Sequence, residues 1–571
     1  MGLFCADFET TKDIDDCRVW AYSIIEIGNY DNFIYGNNID SFMNFCSHSF
    51  ENHTLYFHNL KFDIKFILYW LFRNGYEHIE NRKDRKNKTF ETLITDKGVF
   101  YSITIYFKVR GKKVNKVTIY DSLKILNFSI DQIAKDFKLP INKLKIDYEE
   151  YREENHVLTK EEIEYIRNDV EIDARALEIM FNQGMDKMTI GSDALAQFKK
   201  LYDKESFNTL FPKPNYDKDV RDSYKGGWTF LHDTFKNKTV GDGIVLDVNS
   251  LYPSVMYYEM MPYGEPIYYE GKYKDDPKYP LYIQKFSCMF ELKKDHLPTI
   301  QIKHSTFHDT EYLKSSVDET GVMQEVTLTL TSVDLKLFLD HYNVYNIDYI
   351  AGYKFMATDK LFKEYISYWI EQKIKAKNEG NSAMYIIAKL MLNSLYGKFA
   401  VNPRCRSKIP YYDSSIDKIK WRYGEYEERD PLYIPVGTFI TSYARNKTIR
   451  SAQTVYNRFI YADTDSLHLV GTECPEGLEI DDNKLGAWKI EFQFDKGKYL
   501  RQKCYMEHGK DPFEKDSEPY TKITCAGMPK ECKKYVTFEN FHIGSTFEGK
   551  LMPVEVSGGT VLLETTFTIK E

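Results

Sequence analysis

The chain has 571 residues, too many for one hydrophobic core, so two or more domains are expected. Its 43% hydrophobic and 28% charged residues are an ordinary soluble balance, and no apolar run approaches the ~18 residues of a membrane span. The net charge of −8 argues against a generic nucleic-acid coat, which is usually basic, but leaves room for a nucleic-acid enzyme whose metal-holding carboxylates lower the total.

Nine cysteines include no C-x-x-C pair, so neither a zinc site nor a disulfide framework is suggested, and a reducing cytosol fits best. The opening "MGLFCADFETTKD" turns acidic too early for a signal peptide. It has Ala6 where a myristoylation pattern needs Ser or Thr. The 45 Tyr and 37 Phe could stack on nucleobases, but most are expected in cores.

Residues 1–185 alternate short strands ("GLFCADFE", "VWAYSIIEI", "TLYFHN", "KVTIYDS") with helical segments ("FDIKFILYWLFRNGY", "KEEIEYIRNDVEIDARALEIMFNQG"), an α/β pattern. "NRKDRKNK" at 81–88 reads as a solvated loop. "GDGIVLDVNSLYPSVM" is a strand running into a helix. Strand signals dominate 262–350, and 360–400 is the longest helical stretch. Residues 402–435 are irregular and charged, and strands return after 435.

Acids stand out on these elements. Asp7 and Glu9, at i and i+2, face one side of a strand, Asp63 follows in "YFHNLKFD", and Tyr165 and Asp169 share a helix face. Farther on, Asp247 ends the apolar strand Ile244 to Leu246, and "RFIYADTDSLHLVG" reads as a hairpin with Asp463 and Asp465 at its tip. Carboxylates that close raise each other's pKa, a cost that a hard dication removes. Taken singly, each has a bland reading: a helix cap, a solvated turn, an edge-strand pair. Taken in sets, they have the makings of two sites for two-metal phosphoryl chemistry. "AKLMLNSLYGKFA" adds Lys389, Asn393 and Tyr396 on one helix face, a cation for a triphosphate beside groups that can meet a base pair and sugar.

In order, "DVNSLYP", "KLMLNSLYG" and "YADTDS" resemble the three polymerase motifs of family B DNA polymerases. The resemblance implies a palm in which Asp247, Val248 and Asp465 hold two Mg²⁺ ions, with Mn²⁺ able to substitute and Asp463 in support. It implies Tyr252 under the nucleotide sugar, and Lys389, Asn393, Tyr396 and Gly397 around the nucleotide. Relatives often carry a lysine where this chain has Tyr385, so Lys377 is expected to take over part of the triphosphate grip. "YKGG" (Tyr224, Gly226, Gly227) looks like the linker between exonuclease and palm, and "KCY" (Lys503, Tyr505) like the motif on the primer strand. The N-terminal acids resemble the family's proofreading 3′–5′ exonuclease. Asp7, Glu9, Asp63 and Asp169 would be its metal ligands, Tyr165 would orient a water, and Lys143 would assist the cut. His58, Asn59, Phe62, Ser122, Leu123 and Tyr148 would line the single-stranded primer end.

"YFHNLKFD", "YDSLK", "IAKDFKL", "YGEPI", "LRQK" and "VTFENF" are most similar to the protein-primed polymerases of small linear-genome bacteriophages, the phi twenty-nine type. That branch implies a ribonuclease H-like α/β exonuclease domain at 1–188 and an α+β right hand. The hand would comprise palm at 189–261 and 432–532, fingers at 358–400 and thumb at 533–571. Insertions at 262–357 and 401–431 would contact a terminal protein and encircle DNA, the second through Arg404, Arg406, Lys408, Lys418, Lys420, Arg422 and Arg429. The expected partners are primer-template DNA, deoxynucleoside triphosphates and a terminal protein primer. The enzyme would otherwise be a monomer, away from membranes, in the cytoplasm of an infected bacterium.

Overall fold

The structure is a computed structural model describing residues 2–48, 52–148, 150–301, 312–318, 320–512 and 518–571. Two large sheets carry the two sets of acids. The N-terminal sheet runs in the order Asn29–Gly36, Val19–Glu26, Leu3–Thr10, His53–Phe57, Lys113–Asp121, Phe100–Arg110, Thr89–Ile94, Glu77–His78. Leu3–Thr10, His53–Phe57 and Lys113–Asp121 pair in parallel at its centre, and helices Leu60–Arg73 and Lys160–Asn182 pack against it.

The second sheet brings Gly243–Val248 between Ser466–Val470 and Trp488–Arg501, all antiparallel. It continues through Phe459–Asp463 to Thr229–Leu231 on one side and through Cys504–Lys510 to Tyr520–Cys525 on the other. A separate four-stranded sheet, Met261–Glu270, Tyr342–Thr358, Leu281–Leu292 and Val326–Thr331, occupies the stretch read as the first insertion. Its residues 302–311 lie outside the described residues. Helices Lys363–Asn378 and Ser382–Ser394 form an antiparallel pair that packs on Leu251–Tyr258, the helix following Gly243–Val248.

Two expectations fail. Strands do not return after 435: Ile434–Thr454 is a helix, with Pro435 in its first turn, and the next strand begins at Phe459. "VGTFIT" favours a strand locally, but Val436, Phe439, Ile440, Ala444 and Ile449 are all buried as this helix passes behind the sheet. Tertiary packing overrides propensity there. Nor is 402–435 irregular. Lys408–Asp413 and Lys418–Tyr423 form a hairpin, closed at its base by Arg404–Cys405 against Glu427–Glu428.

That hairpin leans on the N-terminal domain. Lys65 lies 4.6 Å over the Trp421 ring, and Arg406 and Arg422 pair with Asp96 and Glu80. These two arginines, expected on phosphates, are thus occupied in docking. At the hairpin's tip Asp417 accepts hydrogen bonds from Tyr69, Tyr412 and Ser557, the last on the turn between Thr546–Val556 and Gly559–Thr568. Gly558, at φ +93°, allows that turn to approach: a Cβ there would stand 1.9 Å from the Cys17 carbonyl oxygen. The hairpin, the C-terminal turn and the N-terminal domain therefore meet at one point.

Candidate active sites

In the N-terminal site, Asp7 and Glu9 project from one face of Leu3–Thr10, and helix Lys160–Asn182 brings Asp169 to meet them. The helix start is fixed by a reciprocal cap between Thr159 and Glu162, so Tyr165, Asp169 and Asp173 repeat at four-residue spacing on one face. Ligand oxygens of Asp7, Glu9 and Asp169 lie within 4.8 Å of one another, the one such group among the described residues. Asp63, in the first turn of Leu60–Arg73, is 4% exposed and feels the charge of Asp7.

Burial and then the Asp169 charge push the Asp7 carboxyl up to about 7. Burial and the neighbouring acids drive Glu9 and Asp63 well above the carboxylate range. Lys143 is ion-paired with Asp169 on one oxygen, while the other, Oδ1, is buried without a partner. Crowded, buried, partly orphaned carboxylate oxygens fit a divalent cation. Tyr165 is hydrogen-bonded to Tyr148, and burial followed by the charges of Glu9 and Asp169 raises its pKa, so it remains a phenol with a proton to donate. Asn59 (φ 71°), Phe62, Leu123 and Tyr148 lie at the rim, Tyr148 47% exposed.

Ser122 does not lie at the rim. It is fully buried and donates to Asp173 at 2.9 Å, and its oxygen lies 3.0 Å from His58 Nδ1. The other His58 nitrogen donates to the Phe128 carbonyl at 2.7 Å. Asp173, missed in the sequence, therefore anchors two side chains that were expected to touch DNA directly. Its position four residues after Asp169 was the available signal.

In the second site, the hairpin turns through Thr464 at φ 61°, and the Val248 N–H donates to the Asp465 carbonyl at 2.8 Å. Asp247 pairs in register with Ser466, which sets it beside Asp465. Val248's side chain is buried, so only its carbonyl could serve as a ligand. Burial and then Asp465 push the Asp247 carboxyl to about 7, and burial raises Asp465 as well. Asp463 is held apart: it accepts from Thr229 Oγ1 at 3.0 Å and faces Lys503 Nζ at 3.3 Å. Gly227 is required beside it, since a Cβ there would lie 2.5 Å from Thr464 Oγ1. The backbone carbonyls of Lys225 and Gly226 accept from Arg445, itself ion-paired with Asp334. Tyr224 sits half-buried in the same loop.

Lysines face the acid pair. Lys489 Nζ lies 3.6 Å from Asp247. Burial and then the charges of Lys389, Lys489 and Lys377 lower the Lys373 pKa, so these ammonium groups converge. Lys377 is exposed at the end of its helix, whereas Lys373, one turn earlier, is half-buried with its Nζ 5.6 Å over the Tyr385 ring. Lys373 and Lys489 were missed in the sequence because their neighbours are distant along the chain. Asn393 and Gly397 are exposed beside Lys389, and Tyr396 stacks on Tyr252 with centroids 3.9 Å apart. Tyr505, on the strand that follows Lys503, is 7% exposed and packs among Tyr461, Tyr499 and His468.

The family described as DNA polymerase type B, organellar and viral, matches residues 46–157 and 145–483. The chain belongs to this family. The DNA polymerase of Bacillus phage Nf is 48% identical over all of this chain and 99% of its own length, and that of Bacillus phage phi29 is 47% identical over the same shares. The DNA polymerase of Streptococcus phage Cp-1 is 35% identical over all of this chain and 98% of its own. The solved phi29 DNA polymerase complexed with primer-template DNA superposes with a TM-score of 0.93 at 45% identity, covering 100% of both chains. The enzyme is a phage-type DNA-directed DNA polymerase with its own 3′–5′ exonuclease, and its family implies dependence on divalent metal.

Proposed function

We propose that this polymerase starts a linear phage genome from the hydroxyl of a terminal protein, extends it while displacing the other strand, and proofreads the growing end. The observation that carries the division of labour is the separation of two acid sites onto two sheets, one enclosed and one open toward converging lysines. Each site would take two Mg²⁺ ions, or Mn²⁺, on Asp247, the Val248 carbonyl and Asp465, and on Asp7, Glu9, Asp63 and Asp169. When bound, such ions stabilise the attacking and leaving oxygens of an in-line displacement.

The protein's own groups do the rest. Lys373, Lys389 and Lys489 receive a triphosphate as point charges, with Lys377 reaching it from the exposed helix end. Tyr252, stacked on Tyr396, walls the sugar. Asn393 and Gly397 face the nascent pair, and Lys503 holds the primer end next to Asp463. In the exonuclease, Tyr165 donates to the water and Lys143 steadies Asp169. Asn59, Phe62, Leu123 and Tyr148 receive the frayed strand, with His58 and Ser122 fixed by Asp173.

The divisions would be exonuclease 1–188, palm 189–261 and 432–532, fingers 358–400 and thumb 533–571. The sheet at 262–357 would dock the terminal protein, and the hairpin at 401–431 would close over DNA for processivity and strand displacement. The setting would be the cytoplasm of an infected bacterium, and away from the terminal protein the enzyme would act as a monomer.

Incubation with dATP and the candidate terminal protein should leave a nucleotide covalently on that protein. Its absence, with primer extension intact, would leave a polymerase that uses only nucleic-acid primers. Deleting Arg406 to Tyr426, which spares the hairpin's base pairs, should keep single-nucleotide addition on a short primed template. It should shorten products on primed circular DNA under single-encounter conditions; full-length products with intact displacement would remove the processivity reading.

A further inference from the structure

Beneath Lys503 two cysteines face each other across neighbouring strands. Cys504, on Cys504–Lys510, is the direct partner of Cys525, the last residue of Tyr520–Cys525, and their sulfurs lie 3.4 Å apart. The Ala526 N–H donates to the Lys503 carbonyl at 2.8 Å. That bond flanks the pair, which marks a non-hydrogen-bonded position, where Cα atoms approach to about 4.5 Å, inside the span a disulfide bridges. Cys504 is wholly buried and Cys525 is 6% exposed, next to the exposed Ala526 and Gly527. Cys532, the third cysteine of this core cluster, points its thiol at the Phe547 carbonyl.

We propose that Cys504 and Cys525 form a redox modification site, which hydrogen peroxide closes to a disulfide and a thiol reductant reopens. Cys525 reacts first: it is the less buried of the two and accepts the hydrogen bond from Cys504, which lowers its pKa. Its thiolate attacks a peroxide oxygen, the O–O bond breaks, and the leaving hydroxide takes up the released proton as water. The resulting sulfenic acid is attacked by the Cys504 sulfur. The S–O bond breaks, the S–S bond forms, and a second water leaves with the Cys504 proton. Two thiols lose two electrons and one peroxide is reduced to two waters.

The bond draws the sulfurs from 3.4 Å to about 2.05 Å. It tethers the strand whose preceding residue, Lys503, donates its N–H to Tyr461 at 3.0 Å and faces Asp463. The closed form should therefore extend primers more slowly and degrade single strands as before; this half rests on the polymerase reading.

The test uses the full chain with Cys405→Ser and Cys474→Ser, which removes the two least buried thiols. After hydrogen peroxide, denaturation and alkylation, peptide mapping should show a 504–525 link, 2 Da lighter than the two thiols, lost with dithiothreitol and absent from added Cys504→Ser. Alkylation of both thiols at doses that oxidise Cys474 in the unsubstituted chain, or a 525–532 link instead, would overturn the site. Extension should fall at least threefold on oxidation and recover with dithiothreitol, while single-strand degradation stays within twofold. Unchanged extension with the link present, or an equal loss in the Cys504→Ser chain, would overturn the coupling to Lys503. A chain that never extends primers would instead refute the polymerase reading and leave the mapping result standing.

Discussion

Against the N-terminal sheet three carboxylates, two from a strand and one from a helix, converge within 4.8 Å, mostly buried, with Lys143 seated on one of them. In the C-terminal sheet Asp247 and Asp465 stand half-buried, Asp463 is drawn off by Thr229 and Lys503, and a group of lysines faces the pair. The difference follows from what each site must admit. A water and a frayed strand end need little room, so the acids can be enclosed and their repulsion held partly by protonation. A nucleoside triphosphate brings its own negative charge, so that site keeps an open face and a surplus of cations.

The sharpest way to break this comparison is to remove one acid at a time. Asp465→Asn or Asp247→Asn should lower primer extension ~10³-fold or more, about 4 kcal/mol, and spare single-strand degradation. Asp7→Ala or Asp169→Ala should do the reverse. One substitution that abolished both activities in a demonstrably folded chain would mean the sites are not separate.

Tyr252 tests the open site's walls. Stacked at 3.9 Å on Tyr396, its ring cannot yield to a 2′-hydroxyl without losing that contact. Tyr252→Val should admit ribonucleotides, relaxing discrimination ~10²-fold, about 3 kcal/mol, in single-nucleotide insertion kinetics. Unchanged preference would place selection elsewhere.

The lysines give a finer distinction. Lys373→Ala should raise KM for the nucleotide ~10-fold, about 1.4 kcal/mol, because its ammonium is half-buried among Lys389 and Lys489. Lys377→Ala, at an exposed position, should change it ~2-fold or less. Equal effects would return the grip to Lys377 and cast Lys373 as a packing residue.

That last pair also shows what was legible in the sequence. Asp7, Glu9, Asp247 and Asp463 sit on strands, and Asp465 in the turn between two, where alternation or turn chemistry fixes where they point, so their sites could be read from short strings. Lys373 and Lys489 meet only through tertiary packing. Asp173 gains its meaning only from the packing of His58 and Ser122 against it. Ile434–Thr454 read as strand because β-branched residues there are buried by a neighbouring sheet rather than by strand partners. The charges of 402–435 were visible, but not that Arg406 and Arg422 would be spent on Asp96 and Glu80.

The smallest expected effect is a pH dependence. Asp7 and Asp247 each titrate at about 7 in the folded chain, Asp7 through burial and Asp169, Asp247 through burial and Asp465. In the unfolded chain both release their protons near the ordinary value of about 4. Between those limits the folded state binds more protons, so the stability of the metal-free protein should decline as pH rises from about 4 to about 7 and then level off. A cation that binds the ionised carboxylates opposes that decline, so Mg²⁺ should raise the melting temperature more at pH 8 than at pH 6, by a few °C. Scanning calorimetry in chelator and in excess Mg²⁺ measures the gap. Asp7→Asn should remove the larger share of it and Asp247→Asn the smaller, because the enclosed triad holds more uncompensated charge than the open pair. Curves that stay parallel from pH 5 to 8 would show that the acids' repulsion is relieved within the protein, and that the contrast between the two sites lies in access alone.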